Sequence, residues 1–405
     1  MSTKKIRRQF GLAVLGTLAA LHPLRAADPA PPPADPAAAA TAAVLPPPPA
    51  PLGQPQPGPV TDAPYAPQPI LPGGVVIPLF PRGSPYLNAA RVAEAEVYGM
   101  GEAGQIASIV NIHNPSIEFH PGNRALNTGV VIILAAGGGH RTLNVGGEGA
   151  DFVPFLASYG INSVILRNRL RRDGYEPRTD GVHDALQAIK LVRAHAAEWR
   201  LDPKKIGFMG FSAGAELAAA AVIETSAFDE KNNVADNPLA RVSSRPDFAG
   251  IIYPGPSPFA RGGTPPIPRD AGPSFITCAG WGDRGHAVWA SEYFDALLRD
   301  GVPNVEMHIY ARGHHPGDKV GPDEPPSTGG LTNRGFIAYG TWSARFIDWL
   351  RDLGFLHAPG VETQAARDIA ANLNRVPYVP ADFGRRDKPA TPAAPAAPAP
   401  ASIPH

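Results

Sequence analysis

Short runs rich in β-branched and aromatic residues alternate along this chain with stretches whose apolar positions recur at spacings of three and four. Eight runs read as strands: Ile106 to Ile112, Ile117 to Phe119, Val130 to Leu134, Ser163 to Leu166, Ile206 to Met209, Ala249 to Tyr253, Phe275 to Ala279 and Val305 to Tyr310. Val130 to Leu134 and Ile206 to Met209 are apolar almost throughout, as strands buried on both faces are. Between them, Ala150 to Tyr159, Val182 to Trp199, Ala213 to Ile223, Ala287 to Arg299 and Trp342 to Leu353 read as helices. In the second, Ala185, Ile189, Val192 and Ala196 share one face that packs on a sheet. The alternation predicts the α/β class, with a mostly parallel eight-stranded sheet flanked by helices. Thr225 to Pro246, Pro254 to Pro273 and Pro316 to about Tyr339 fit no element, and long loops of this kind often shape a substrate site.

Composition changes the picture at both ends. Many of the 49 prolines fall between Pro29 and Pro72 and after Lys388, in runs that cannot bury a core. The chain therefore divides into a leader at 1–26, a Pro/Ala-rich spacer at 27–75, one domain at 76–356, and a C-terminal helix with a Pro/Ala-rich disordered tail at 357–405. In that helix Val361, Ala365, Ile369, Leu373 and Val376 share a face. The leader has a basic start, an apolar run from Phe10 to Leu21 and small residues at Ala26 and Ala27, which is the order of a secretion signal. Arg7-Arg8-Gln9-Phe10-Gly11-Leu12 also resembles a twin-arginine export motif, so both export routes stay open. The run is shorter than the roughly 20 residues needed to span a bilayer, so no permanent membrane anchor is expected. A periplasmic or secreted location follows. Without the leader, 31 basic residues face 36 acidic ones, a balance that argues against a nucleic-acid partner. Cys278 is the one cysteine, so no intramolecular disulfide forms, and its apolar surroundings mark a buried, inert thiol.

The chemistry starts at Gly210-Phe211-Ser212-Ala213-Gly214. This run follows a buried strand and enters a strong helix former, which is the context of a nucleophile elbow in the α/β-hydrolase fold. The glycines are needed because strand and helix pass within contact distance on either side of a serine in a strained turn. Upstream, Ala135-Ala136-Gly137-Gly138-Gly139-His140 follows an early strand. Gly138 or Gly139 and Ala213 are the candidate backbone donors of an oxyanion hole. In this fold the acid and then the base follow the serine on loops after late strands. Asp283, after Gly280-Trp281-Gly282, stands where the acid belongs; Asp270 precedes its strand and Asp295 lies within a helix. The loop Ala311-Arg312-Gly313-His314-His315-Pro316-Gly317 offers two imidazoles able to act as general base, while His308 sits inside a strand. His140, Trp281, His286 and His314 are candidates to line a substrate pocket.

Several of these segments together resemble the bacterial acetylxylan esterase and feruloyl esterase-like carbohydrate esterases. They are Gly137-Gly138-Gly139, Glu148-Gly149, Tyr159-Gly160-Ile161, Asn168-Arg169-Leu170, Asp184-Ala185, Trp199 with Leu201-Asp202-Pro203, and Ile206 to Gly214. The resemblance runs from about Ile109 to Leu356 and includes Tyr253-Pro254 and Asp348-Trp349-Leu350. It implies that the base is His315, two residues after Gly313. The chain departs from the family pattern at Ala136 and His140 around the glycine triplet, and at Ala215 and Glu216 after the elbow. Its acid loop, Trp281-Gly282-Asp283-Arg284, lacks the family's pair of aspartates. The catalytic frame is kept while the pocket wall differs.

The expected activity is ester hydrolysis by Ser212, His315 and Asp283, with a small ester or acylated oligosaccharide as substrate and neither a metal nor an organic cofactor. His314-His315, as adjacent residues, form a poor chelating pair. Two other readings share parts of the pattern. A prolyl-oligopeptidase-type peptidase has the same triad order, but the N-terminal segment is too short for that group's propeller. A non-catalytic envelope protein that binds a glycan would have no need of the full set of serine, acid and histidine.

Overall fold

Runs that are apolar at every position fold here as the inner strands of a sheet covered on both faces. The structure is a computed structural model, and it describes residues 63–234, 237–324, 329–332 and 336–374. The leader, the spacer up to residue 62, the tail after Lys388 and Val376 lie outside the described residues. In chain order the first strands are β1 (Val75–Pro78), β2 (Val97–Met100), β3 (Ile106–Val110), β4 (Ser116–His120) and β5 (Val131–Ala135), followed by helix α1 (Phe152–Ala157). Then come β6 (Asn162–Arg167), α2 (Val182–Ala194), β7 (Ile206–Phe211), α3 (Ala213–Ile223), α4 (Thr225–Asn232) and β8 (Phe248–Ile252). The chain continues through β9 (Ser274–Trp281), α5 (Arg284–Arg299), β10 (Glu306–Arg312), α6 (Trp342–Asp352) and α7 (Gln364–Leu373).

Eight strands form one sheet in the order β1-β4-β6-β5-β7-β8-β9-β10. From β6 to β10 all pairs are parallel, while β4 and then β1 extend the other side of β6 antiparallel. Every residue of β5, β6, β7 and β8 is buried, as expected of parallel strands with helices on both sides. Of the eleven residues of α3 only Glu216 escapes burial, because the helix is built of alanines that let it lie close to β7 and β8. On α6 the buried residues Trp342, Phe346, Trp349 and Leu350 recur at helical spacing. The Phe346 and Trp349 rings pack on Phe248 and Phe275 from the sheet.

One predicted strand lies elsewhere. Ile106 to Ile112 yields β3, which pairs with β2 in a separate two-stranded ribbon. The eighth strand of the main sheet is instead β1, registered antiparallel on β4 from Val75 opposite Phe119 to Pro78 opposite Ser116. Its place follows from a buried anchor just upstream. The backbone N–H groups of Ile70 and Leu71 donate to the Glu118 carboxylate at 2.7 and 3.0 Å, and Arg167 pairs with the same carboxylate at 3.0 Å. A second difference is α4, a helix at the start of the stretch from Thr225 that fits no element by pattern. It is tied down by Asp229, which pairs with Lys190 at 3.0 Å and accepts from the Ser244 N–H. In the C-terminal helix α7 only Ala365 is buried and Leu373 is exposed, while Val361 lies before the helix and is exposed. Among the described residues no helix is long and apolar enough to cross a membrane.

Candidate active site

Every candidate residue of the chemistry follows the C-terminal end of a parallel strand, where open α/β sheets bind ligands. The glycine turn follows β5, Ser212 follows β7, Asp283 follows β9 and His315 follows β10. Ser212 is held at φ 52° and ψ −115°, a conformation that side-chain-bearing residues rarely adopt. Its N–H donates to the Ile252 carbonyl at 2.9 Å. The sequence allows this turn because Gly210 and Gly214 carry no Cβ. A Cβ on Gly210 would lie 2.0 Å from the Gly214 carbonyl oxygen, and one on Gly214 would lie 2.0 Å from that of Ala135.

Ser212 Oγ lies 2.8 Å from His315 Nε2, and His315 Nδ1 lies 3.3 Å from Asp283 Oδ2. With Nδ1 facing a carboxylate, that nitrogen carries the proton and Nε2 is left to accept from the serine hydroxyl. The other oxygen of Asp283 accepts from His286 Nδ1. His286 and His315 stack face to face, with centroids 3.7 Å apart and planes 6° apart, and Tyr253 meets His315 edge-on at 5.4 Å. Burial would raise the Asp283 carboxyl, but the hydrogen bonds and charge of His286 and His315 outweigh it and hold the group below the usual carboxylate range. The other acids considered serve elsewhere: Asp270 lies 3.4 Å from Arg245, and Asp295 is 2.7 Å from Arg299.

The glycine turn is braced from behind by Glu148, which is buried. Its Oε2 accepts from the Gly137 N–H at 2.7 Å, and its Oε1 accepts from the Tyr253 hydroxyl at 2.8 Å. That hydroxyl accepts in turn from the Gly330 N–H at 2.8 Å. With the Gly137 N–H committed to Glu148, the turn's contribution to an oxyanion hole falls to Gly138 and Gly139, which line the same cavity as Ser212 and Ala213. Ala213 opens α3, and the first N–H groups of a helix have no partner within it.

Burial pushes Glu148 up to about 7, against hydrogen bonds from Tyr253 and Gly137 that pull it down. A carboxyl raised on folding binds more protons in the native than in the unfolded state. Stability therefore falls as pH rises from the unfolded value of 4.5 to about 7, and is flat above that. Glu148→Gln is expected to remove this slope, worth on the order of 3 kcal/mol across the window. Urea unfolding at several pH values between 4.5 and 8 checks it: wild type and variant falling in parallel would assign the titration to another group.

A cavity of about 370 Å³ opens above Ser212. Besides the residues named, it is lined by Asn144, Glu216, Gly255, Pro256, Trp289 and Pro316. Of the four pocket candidates, His286 lines it. His140 is buried behind Glu216, with Nε2 3.3 Å from Oε2, so two of the positions that depart from the family pattern meet each other. Trp281 lies outside the cavity, 64% exposed, with the Arg284 guanidinium 4.8 Å above its ring. His314 faces away, toward Glu324 at 2.9 Å and the Phe336 ring. Cys278 is buried, and burial together with the nearby Asp283 charge raises its thiol to about 12.

Sequence reasoning missed the roles of Glu148, Tyr253 and Trp289, and the bond from His286 to Asp283. Only the last has a local signal, the three-residue spacing between a helix N-cap and its first turn. Among the described residues, Asp283, His286 and His315 bring ligand atoms within 4.8 Å of one another. Two parallel rings 3.7 Å apart cannot both direct an in-plane lone pair at one ion between them, so as placed they serve hydrogen bonding rather than chelation.

Sheet order and the strand–elbow–helix turn at Ser212 give the chain the α/β-hydrolase fold. Residues 120–252, about a third of the chain, match the BD-FAE family model, that of bifunctional feruloyl and acetyl xylan esterases. Over 127 residues, 31% of this chain, the sequence is 31% identical to an acetylxylan esterase of Xylanibacter ruminicola, and it covers 23% of that relative's length. The fold is similar to the crystal structure of an acetyl ester-xyloside bifunctional hydrolase from Caldicellulosiruptor lactoaceticus. That likeness has a TM-score of 0.54 and 24% identity, over 70% of this chain and 97% of the other.

Proposed function

We propose that the protein is an exported serine esterase that removes acetyl or feruloyl groups from plant-type polysaccharide fragments. The observation that carries this reading is the line from Ser212 through His315 to Asp283 beside a glycine turn in one cavity. Ser212 Oγ attacks the ester carbonyl carbon while its proton passes to His315 Nε2. The carbonyl oxygen becomes an oxyanion that accepts from the N–H groups of Ala213 and of Gly138 or Gly139. Collapse of the intermediate expels the alcohol, which takes the proton from His315. Water then attacks the acyl-enzyme by the same route, releases the acid and restores Ser212. Asp283 keeps its charge throughout and balances the imidazolium.

A cavity of about 370 Å³ suits a short acyl group with the alcohol directed outward. Release of acetate, ferulate and p-nitrophenol from acetylated xylan, feruloylated oligosaccharide and aryl esters tests the reading. Acetate release should lead, and turnover of none of the three would sink it. Export is the second part of the proposal, resting on the basic start and short apolar run of the leader. The mature chain is expected to begin near Ala27. N-terminal sequencing of protein from the envelope or medium checks this, and an intact Met1 in a cytoplasmic fraction would overturn it.

A further inference from the structure

Asp283 is the N-cap of α5, and its carboxylate makes no hydrogen bond to the helix backbone. Both oxygens are thus available to side chains, and both are taken by imidazoles: His315 at Oδ2 and His286 at Oδ1. His286 stands at the third position of the helix, on the same side of the first turn as the N-cap. From there its ring lies flat against His315 at 3.7 Å, and it also meets Trp289 edge-on at 5.3 Å. One side chain therefore fixes the acid by a hydrogen bond and the base by its face.

We propose that His286 is a positioning residue of the relay, holding Asp283 and His315 in register so that the base stays aimed at Ser212 as it becomes a cation. The inference rests on the serine esterase reading above. His286 transfers no proton: its Nδ1–H stays on Asp283 Oδ1 while the serine proton moves to His315 Nε2. A neutral ring stacked on an imidazolium stabilises it, whereas a second cation there would not. The charged groups facing His286 are Asp283 on its own helix and His315 from the loop after β10. Glu148, from the turn before α1, and Glu216, from α3, line the same cavity.

Two substitutions in the full-length protein separate the hydrogen bond from the stack. His286→Phe keeps a ring but removes the donor. The carboxylate then concentrates its hold on His315, which should keep its proton to higher pH, so the acid limb of kcat should move upward. A fall in kcat of about tenfold is expected, with KM within about twofold. His286→Gln retains a donor without the ring, and should keep the wild-type pH profile with a severalfold lower kcat. Wild-type kcat and profile in both variants would overturn the proposal, as would a raised KM with unchanged kcat, which would make His286 a wall of the pocket. Imidazole titration of His315 followed by ¹⁵N NMR needs no turnover. If the wild type cleaved no ester, the function would fail, yet a titration unaltered by His286→Phe would still be needed to overturn the positioning role.

Discussion

Ser212→Ala is expected to lower kcat on aryl esters by on the order of 10⁵ to 10⁶, because the remaining imidazole has no nucleophile to activate. The change deletes one oxygen from a turn whose conformation is set by the backbone. Neither the Ser212 N–H bond to Ile252 nor the close packing of Gly210 and Gly214 involves the hydroxyl. Unfolding midpoints should therefore hold within about 0.5 kcal/mol of wild type. Residual turnover should come from binding and the oxyanion donors alone. A variant with near-normal rates would mean that the nucleophile lies elsewhere.

Asp283→Asn and His315→Ala should each cost about 10⁴ in kcat, and the double variant little more, since members of such a relay act as one unit. Binding should be largely spared. In the asparagine variant the amide can present an N–H to His315 Nδ1, which favours the tautomer that cannot accept from Ser212. The same change leaves His286 Nδ1 without its carboxylate charge. His314→Ala should cost less than about tenfold, because that ring points to Glu324 at 2.9 Å rather than into the cavity. Steady-state rates for the four variants on one aryl ester decide it: a dead His314→Ala enzyme beside an active His315→Ala enzyme would move the base by one residue.

The parts of this molecule that were legible in the sequence are those where a local pattern carries its own steric reason. The elbow could be read because no residue but glycine fits at 210 and 214, and the inner strands because burial on two faces leaves continuous apolar runs. The strand at Val75–Pro78 could not, since four half-exposed residues beside prolines owe their pairing to a distant carboxylate, Glu118. Ile106 to Ile112 announced a strand but not its sheet, because pairing partners are set by tertiary packing. Helix α4 carries a single large buried apolar residue, Phe228, so no period betrays it. At the site, loop position after a strand located Asp283 and the pair His314-His315, and only the family resemblance chose between the two imidazoles. Loop position gave no orientation, so Trp281 read as a pocket residue although its ring turns to solvent and Arg284. Glu148 acts through hydrogen bonds to Gly137 and Tyr253, the second of them 105 residues away, a relation that no one-dimensional pattern contains.

The partners of Ser212 arrive late in the chain: His315 stands 103 residues after it, on the loop that follows the last strand of the sheet. A growing chain emerging from the ribosome can form the elbow and the glycine turn, which lie on adjacent strands, long before β10 exists to dock against β9. Until that docking the serine has no base. On the proposed mechanism, hydrolytic activity thus reports arrival of the last strand rather than formation of the sheet's centre, and on dilution from denaturant it should return no earlier than the docking of β10, after the bulk of the helical signal.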